Sequence, residues 1–189
     1  MRKVMPALTF VLCSLLVVLA GCTQKIISTV TSSNYNKNTN TTSYTVLPYG
    51  SASLPGAWTK ARYVASARQQ FFRNNDSVVV SLAFGPGDKF EFSKEGLTGF
   101  PFVKAYYEWE SRYMEKELGQ KVSLVVTDSI NKYLIARVYS DKVNEFQLFG
   151  AKDCGCKSGA FQHYTVTGRK ISNDEMIKFL QDIYLAKNN

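Results

Sequence analysis

Histidine is almost missing from this chain, with one residue in 189, and cysteine is sparse at four. A single imidazole leaves almost no material for a His-rich metal site or for most His-based catalytic schemes, and four thiols are too few for a disulfide scaffold. Apolar runs long enough to span a bilayer are lacking too. The longest, residues 4–20, is interrupted by Pro6 and falls short of the roughly 20 residues a spanning helix needs. No internal repeat is present, and no nucleophile-elbow glycine pattern surrounds a serine. What remains is 45% hydrophobic and 20% charged, with 12 Gly and 5 Pro, the profile of one globular domain plus an extra segment.

The extra segment is at the start. Arg2 and Lys3 precede the apolar run, which closes on Leu19-Ala20-Gly21-Cys22. A cationic start, a short apolar stretch and small residues before a cleavage point read as a secretory signal over residues 1–21, outside the fold. The tetrapeptide closely resembles the lipobox of bacterial lipoproteins, whose small residues fit the signal-peptidase groove and whose cysteine thiol receives a diacylglycerol. That resemblance covers this segment alone. It implies that Cys22 is the acylated first residue of the mature chain, so that the lipid bilayer is its first partner. Each buried methylene contributes about 0.8 kcal/mol and one acyl chain anchors only marginally, so it takes more than one chain, palmitate included, to hold such a lipoprotein firmly. Thr23 in place of Asp resembles the pattern of enterobacterial lipoproteins sent to the outer membrane. The Asn- and Tyr-rich composition is similar to Bacteroidota proteins, whose surface-exposed lipoproteins tend to carry acids just after the cysteine. Thr23-Gln24-Lys25-Ile26 has none, so an outer-membrane position facing the periplasm is expected.

Removing residues 1–21 takes Arg2 and Lys3 from 23 basic residues set against 15 acidic ones, and lowers the formal charge from +8 to +6. The basic residues are interspersed with acids, so nucleic acid is not an expected partner of this exported chain. From position 23 to 45, 15 of 23 residues are Ser, Thr or Asn and none is acidic, which reads as a flexible leash. Those 23 residues have a typical reach of about 26 Å, and residues 22–49 are accordingly assigned to the lipidated cysteine and its tether. The globular domain is expected over residues 50–189.

Within that domain, residues 68–73 and 77–84 read as a hairpin turning at Asn74-Asn75-Asp76, in which Val78, Val80, Leu82 and Phe84 alternate with smaller or polar neighbours. The spacing predicts a helix over 101–118, stopped by Gly119, whose apolar arc holds Phe102, Tyr106, Trp109 and Tyr113. Strands are expected at 122–127, 133–139, 145–152 and 160–167. Ser172 and Glu175 are placed as a capping box for a last helix with Met176, Leu180, Ile183 and Tyr184 on its buried face. Two apolar helical stripes need a sheet to cover them. The expected fold is therefore α+β, a single antiparallel sheet of about five strands with two helices packed on one face. The order of elements is loosely similar to the PsbP and Mog1-like group and, less closely, to cystatin-like domains, an architectural likeness that carries no functional residues with it.

Three places are candidates for chemistry. The loop over 153–159 puts Cys154 and Cys156 two residues apart. Exported thiols this close are oxidised, metallated or kept reduced by a partner, and a clip of Cys154, Cys156 and His163, with Asp153, would suit copper or zinc. If the loop caps a hairpin, His163 lies about 13 Å along a strand from it, which argues against the full clip. As a catalytic base, His163 lacks a recognisable nucleophile and orienting acid. The aromatic helix reads in two ways: a glycan platform of Tyr106, Trp109 and Tyr113 beside Glu110, or a core stripe with Glu110 and Glu117 at its margin. The reading taken forward is a membrane-anchored envelope domain, non-enzymatic and without a cofactor, that binds or supports another envelope component. The alternatives are a ligand or metal carrier built on Cys154 and Cys156, and a glycan binder or hydrolase built on the aromatic helix.

Overall fold

Hydroxyl-bearing residues, not apolar ones, open the fold. In the computed structural model, which describes residues 29–155 and 159–186, Val30–Asn36 (β1), Thr41–Leu47 (β2) and Gly50–Pro55 (β3) pair as an antiparallel three-stranded sheet. The leash expected over 22–49 is thereby corrected where the structure describes it: residues 30–49 form strands and turns. Threonine is β-branched and favours extended backbone, and Thr42, Tyr44 and Val46 alternate inward along β2. Thr42 Oγ1 donates to the Gly56 carbonyl at 2.8 Å and accepts from the Trp58 N–H at 3.0 Å, so its burial leaves no polar group unpaired. The signal segment, Cys22 and Cys156 lie outside the described residues.

The main sheet has seven strands: Thr59–Val64 (β4), Gln69–Arg73 (β5), Val79–Pro86 (β6), Lys121–Asp128 (β7), Tyr133–Tyr139 (β8), Asn144–Lys152 (β9) and Ala160–Thr167 (β10). Their order is β4-β5-β6-β10-β9-β8-β7, antiparallel throughout. The α+β class expected from the sequence is present, but with two sheets of three and seven strands rather than one of about five. Two meanders join where β6 pairs with β10, opposing Ala83 to His163. β4 carries no alternating apolar signal, because it is an exposed edge strand bulged between Lys60 and Tyr63.

Between the meanders the chain passes through two short 3-10 segments, Gly87–Lys89 and Glu91–Glu95, and then a helix, Gly99–Leu118 (α1). Gly119 ends it at φ 62°, a left-handed cap that glycine adopts without steric cost, with its N–H on the Met114 carbonyl. The second helix, Asn173–Leu185 (α2), starts from the reciprocal capping box: Ser172 Oγ accepts from the Glu175 N–H while the Glu175 carboxylate accepts from the Ser172 N–H.

Alternation along the strands divides the core in two. On one face Leu82, Phe84, Ile135, Leu148 and Tyr164 meet Tyr44 and Leu54 of the small sheet and Leu180, Ile183 and Tyr184 of α2. On the other, Ala83, Leu134, Ala136, Phe149 and Phe161 meet Phe102, Val103 and Tyr106 of α1. The helices thus lie on opposite faces of the large sheet, which corrects their expected placement on one face. β6 and β10 are buried almost end to end on both sides, and such strands need cover twice over. Gly150 is where α2 comes closest: a Cβ there would collide with the ring of Tyr184, whose hydroxyl donates to the Asn131 and Lys132 carbonyls at 3.0 Å. Among the described residues no helix is long and apolar enough to cross a membrane.

Candidate functional site

The inward face of α1 carries a carboxyl at its centre. At about 100° per residue Glu110 lies about 20° from Val103 and about 40° from both Tyr106 and Met114, all three buried against the sheet. It therefore sits in the middle of the packed stripe and not at its margin, where the core reading of the aromatic helix put it. The stripe continues outward through Trp109, half-buried, to Tyr113, which is 50% exposed.

Opposite the helix the sheet presents polar side chains where its neighbours are apolar. Along β9 the residues facing α1 run Glu145, Gln147, Phe149, and along β10 Phe161, His163, Thr165, with Gln147 opposing Thr165 and Phe149 opposing His163. They form a directed chain: Gln147 Nε2 donates to Glu145 Oε1 at 2.6 Å, and Gln147 Oε1 meets His163 Nε2 at 3.1 Å. Since the amide oxygen can only accept, His163 is the donor and carries its proton on Nε2. Its ring stacks on Phe149 at 4.9 Å and meets Tyr106 edge-on at 5.6 Å. Further along the same face Gln69 Nε2 donates to Ser81 Oγ at 2.6 Å, and Ser81 shares a 2.7 Å bond with Thr165.

Helix and sheet part between these two rows to leave a cleft of ≈ 840 Å³. Tyr106, Trp109, Glu110 and Tyr113 all line it, so the four residues expected from the sequence meet at one site, and Glu145, Gln147 and His163 line it with them. The 3-10 segments close one end. Trp109 Nε1 donates to Glu91 Oε1 at 2.8 Å, and the Phe90 ring stands 5.7 Å from Trp109 and 5.0 Å from Phe161. Arg62 and Arg68, with Lys89, complete the lining, the Arg62 guanidinium lying 4.4 Å above the Phe71 ring.

Burial governs the electrostatics. It raises the Glu110 carboxyl above its ordinary range, and the charge of Glu145 adds to the rise. Burial also raises Glu145, opposed by the hydrogen bond from Gln147. His163 is pushed down to about 4 by the same loss of water and is neutral at physiological pH. Among the described residues the one salt bridge is Lys178 with Asp182, at 2.8 Å on the exposed face of α2. The three cations of the cleft therefore pair with neither glutamate.

Of the candidate clip, Asp153, Cys154 and His163 are among the described residues. Cys154 is held in a disulfide, packs against the core on the α2 side, and so stands across the sheet from His163, which faces α1. The other cysteines of the chain, Cys156 among them, lie outside the described residues. Among the described residues no three His, Cys, Asp or Glu side chains group to hold a metal ion. His163 bonds an amide and not a nucleophile.

Glu145, Gln147 and His163 were not assembled into a site by sequence reasoning. The signal was present in the strands, as polar residues recurring every second position among buried neighbours. Their convergence on Glu110 required the fold. No protein-family model matches the chain, and no curated protein is similar to it.

Proposed function

We propose that this chain is a lipid-anchored envelope protein that holds a ligand, without transforming it, in the cleft between α1 and the seven-stranded sheet. One observation carries the binding half: two carboxyls with no ion-pair partner among the described residues line a cleft walled by aromatic rings, at positions where packing alone would favour apolar side chains. Polar groups retained at such a cost to stability, in a cleft within the usual size range of ligand pockets, are the physical signature of a binding site. The anchoring half rests on the lipobox-like Leu19-Ala20-Gly21-Cys22. The partner on this reading is a small envelope molecule, not a second protein.

Two measurements test the two halves. The mass of the native protein should show an acyl adduct that disappears in Cys22→Ser, together with loss of membrane fractionation; an unmodified native mass refutes the anchor. Amide NMR spectra of the mature chain, titrated with a panel of oligosaccharides, amines and short peptides, should show shifts converging on residues 106–113, 145–147 and 161–165. If no member of the panel moves those signals, the binding assignment is wrong.

A further inference from the structure

We infer that the ligand of this cleft is an organic cation, an ammonium group carried on a ring or short chain and seated against the carboxyls of Glu110 and Glu145. The inference rests on the binding reading above and narrows it to one chemical class.

Three features point to positive charge. Glu110 projects from the middle of the inward face of α1, where Tyr106 and Met114 are buried on either side, and among the described residues no arginine or lysine forms an ion pair with it. Glu145 is oriented, not free: the chain from His163 through Gln147 ends on its Oε1 and leaves Oε2 with no hydrogen bond among the described residues. The rings of Trp109, Phe90 and Phe161 line the cleft, and the negative quadrupole of an aromatic ring attracts a desolvated cation within about 6 Å. A carboxyl pair removed from water either keeps a proton or takes a counter-cation, and the aromatic wall makes the second outcome favourable for an ammonium. A neutral sugar would find acceptors at this pair, but the Gln147 amide beside it is already spent on Glu145 and His163. A metal ion would find too few ligands, since among the described residues no three His, Cys, Asp or Glu side chains group to hold one.

Binding should then compete with protonation of the pair. Facing Glu110 and Glu145 are neutral His163 and Gln147 from the sheet and the Tyr106 and Tyr113 phenols from α1. Arg62, Arg68 and Lys89 also line the cleft and oppose a cation, as Glu91 favours one. Affinity follows the carboxyls and rises with pH.

The test uses the mature chain with Cys22→Ser, titrated calorimetrically with benzylamine, its trimethylated form, and benzyl alcohol as the neutral isostere. Both amines should bind at least 10-fold more tightly than the alcohol. Glu110→Gln and Glu145→Gln, each checked for a cooperative unfolding transition, should each weaken amine binding by at least 10-fold, and lowering the pH from 7.5 to 5 should weaken it in the native sequence but not in the double variant. Equal affinity for amine and alcohol, or undiminished amine binding by both Gln variants, overturns the cation while the cleft stands. Binding of an oligosaccharide or of calcium or zinc alone in preference to the amines overturns it too. No amine binding at all overturns it, and the NMR panel then decides separately whether the cleft binds anything.

Discussion

The lone histidine provides the sharpest test of the cleft's electrostatics. Buried between Phe149 and Tyr106, His163 is depressed from 6.5 to about 4. Above pH 6.5 the ring is neutral in both folded and unfolded chains and contributes no pH dependence. Below 6.5 the unfolded chain takes up a proton that the folded chain refuses until about pH 4, so the unfolded state binds more protons and stability falls as the pH falls. At 1.36 kcal/mol per pH unit, the loss across this window is about 3 kcal/mol. Glu110 and Glu145 work in the opposite sense. Their raised folded values mean that the folded chain binds more protons, so their contribution is full below the ordinary carboxyl range and is lost as the pH rises through the folded values. The native curve is therefore a sum of opposed slopes. Subtracting the curve of His163→Gln, which keeps a donor for Gln147 Oε1, isolates the imidazole. Urea unfolding followed by circular dichroism from pH 7.5 to 4 should give a native-minus-variant difference that falls by about 3 kcal/mol. A proton NMR titration of the imidazole needs no assignment, because the chain has one histidine. A ring signal titrating near 6.5, or a difference that stays flat with pH, would refute the claim that this face of the sheet is dry.

Replacing the unpaired carboxyl by Glu110→Leu should raise stability at pH 7 by about 1–2 kcal/mol in urea unfolding while removing ligand binding; a destabilised variant would mean that the carboxyl is already satisfied. Gly150→Ala should cost about 1–3 kcal/mol, because the added methyl meets the Tyr184 ring, and most of that loss should disappear in a Tyr184→Ala background, measured as a double-mutant cycle. Thr42→Val should cost about 1–3 kcal/mol by stripping the Trp58 N–H of its acceptor, and amide exchange should show β2 protected. Rapid exchange throughout 41–47 would restore the leash.

Local chemistry was legible where it is self-contained. The strands Tyr133–Tyr139 and Ala160–Thr167 fall where their β-branched and aromatic runs put them, and α2 starts at a capping box written in Ser172 and Glu175. The 30–47 segment was not legible, because Ser, Thr and Asn serve both leashes and strands. What decides between them is a partner for Tyr44 and Val46, which the large sheet supplies. The placement of the helices was half-legible. An amphipathic stripe states that a helix has a partner surface without stating which side of the sheet it lies on. The near-continuous apolar runs of β6 and β10 did carry that information, since strands buried on both faces demand two covering layers.

By itself the sequence determined the α+β class, the export signal as an expectation, the elements bounded by Gly119 and Ser172, and the gathering of Tyr106, Trp109, Glu110 and Tyr113 along one side of a helix. Spacing within a helix or strand is a property of neighbours in the chain, so nothing distant is needed to read it. Only the tertiary structure decided that β6 lies against β10, that α1 and α2 take opposite faces, and that Glu110 meets Glu145, 35 positions further along. Those pairings are set by how the whole chain buries its apolar surface at once. The charge they leave uncompensated in the cleft therefore belongs to no single segment.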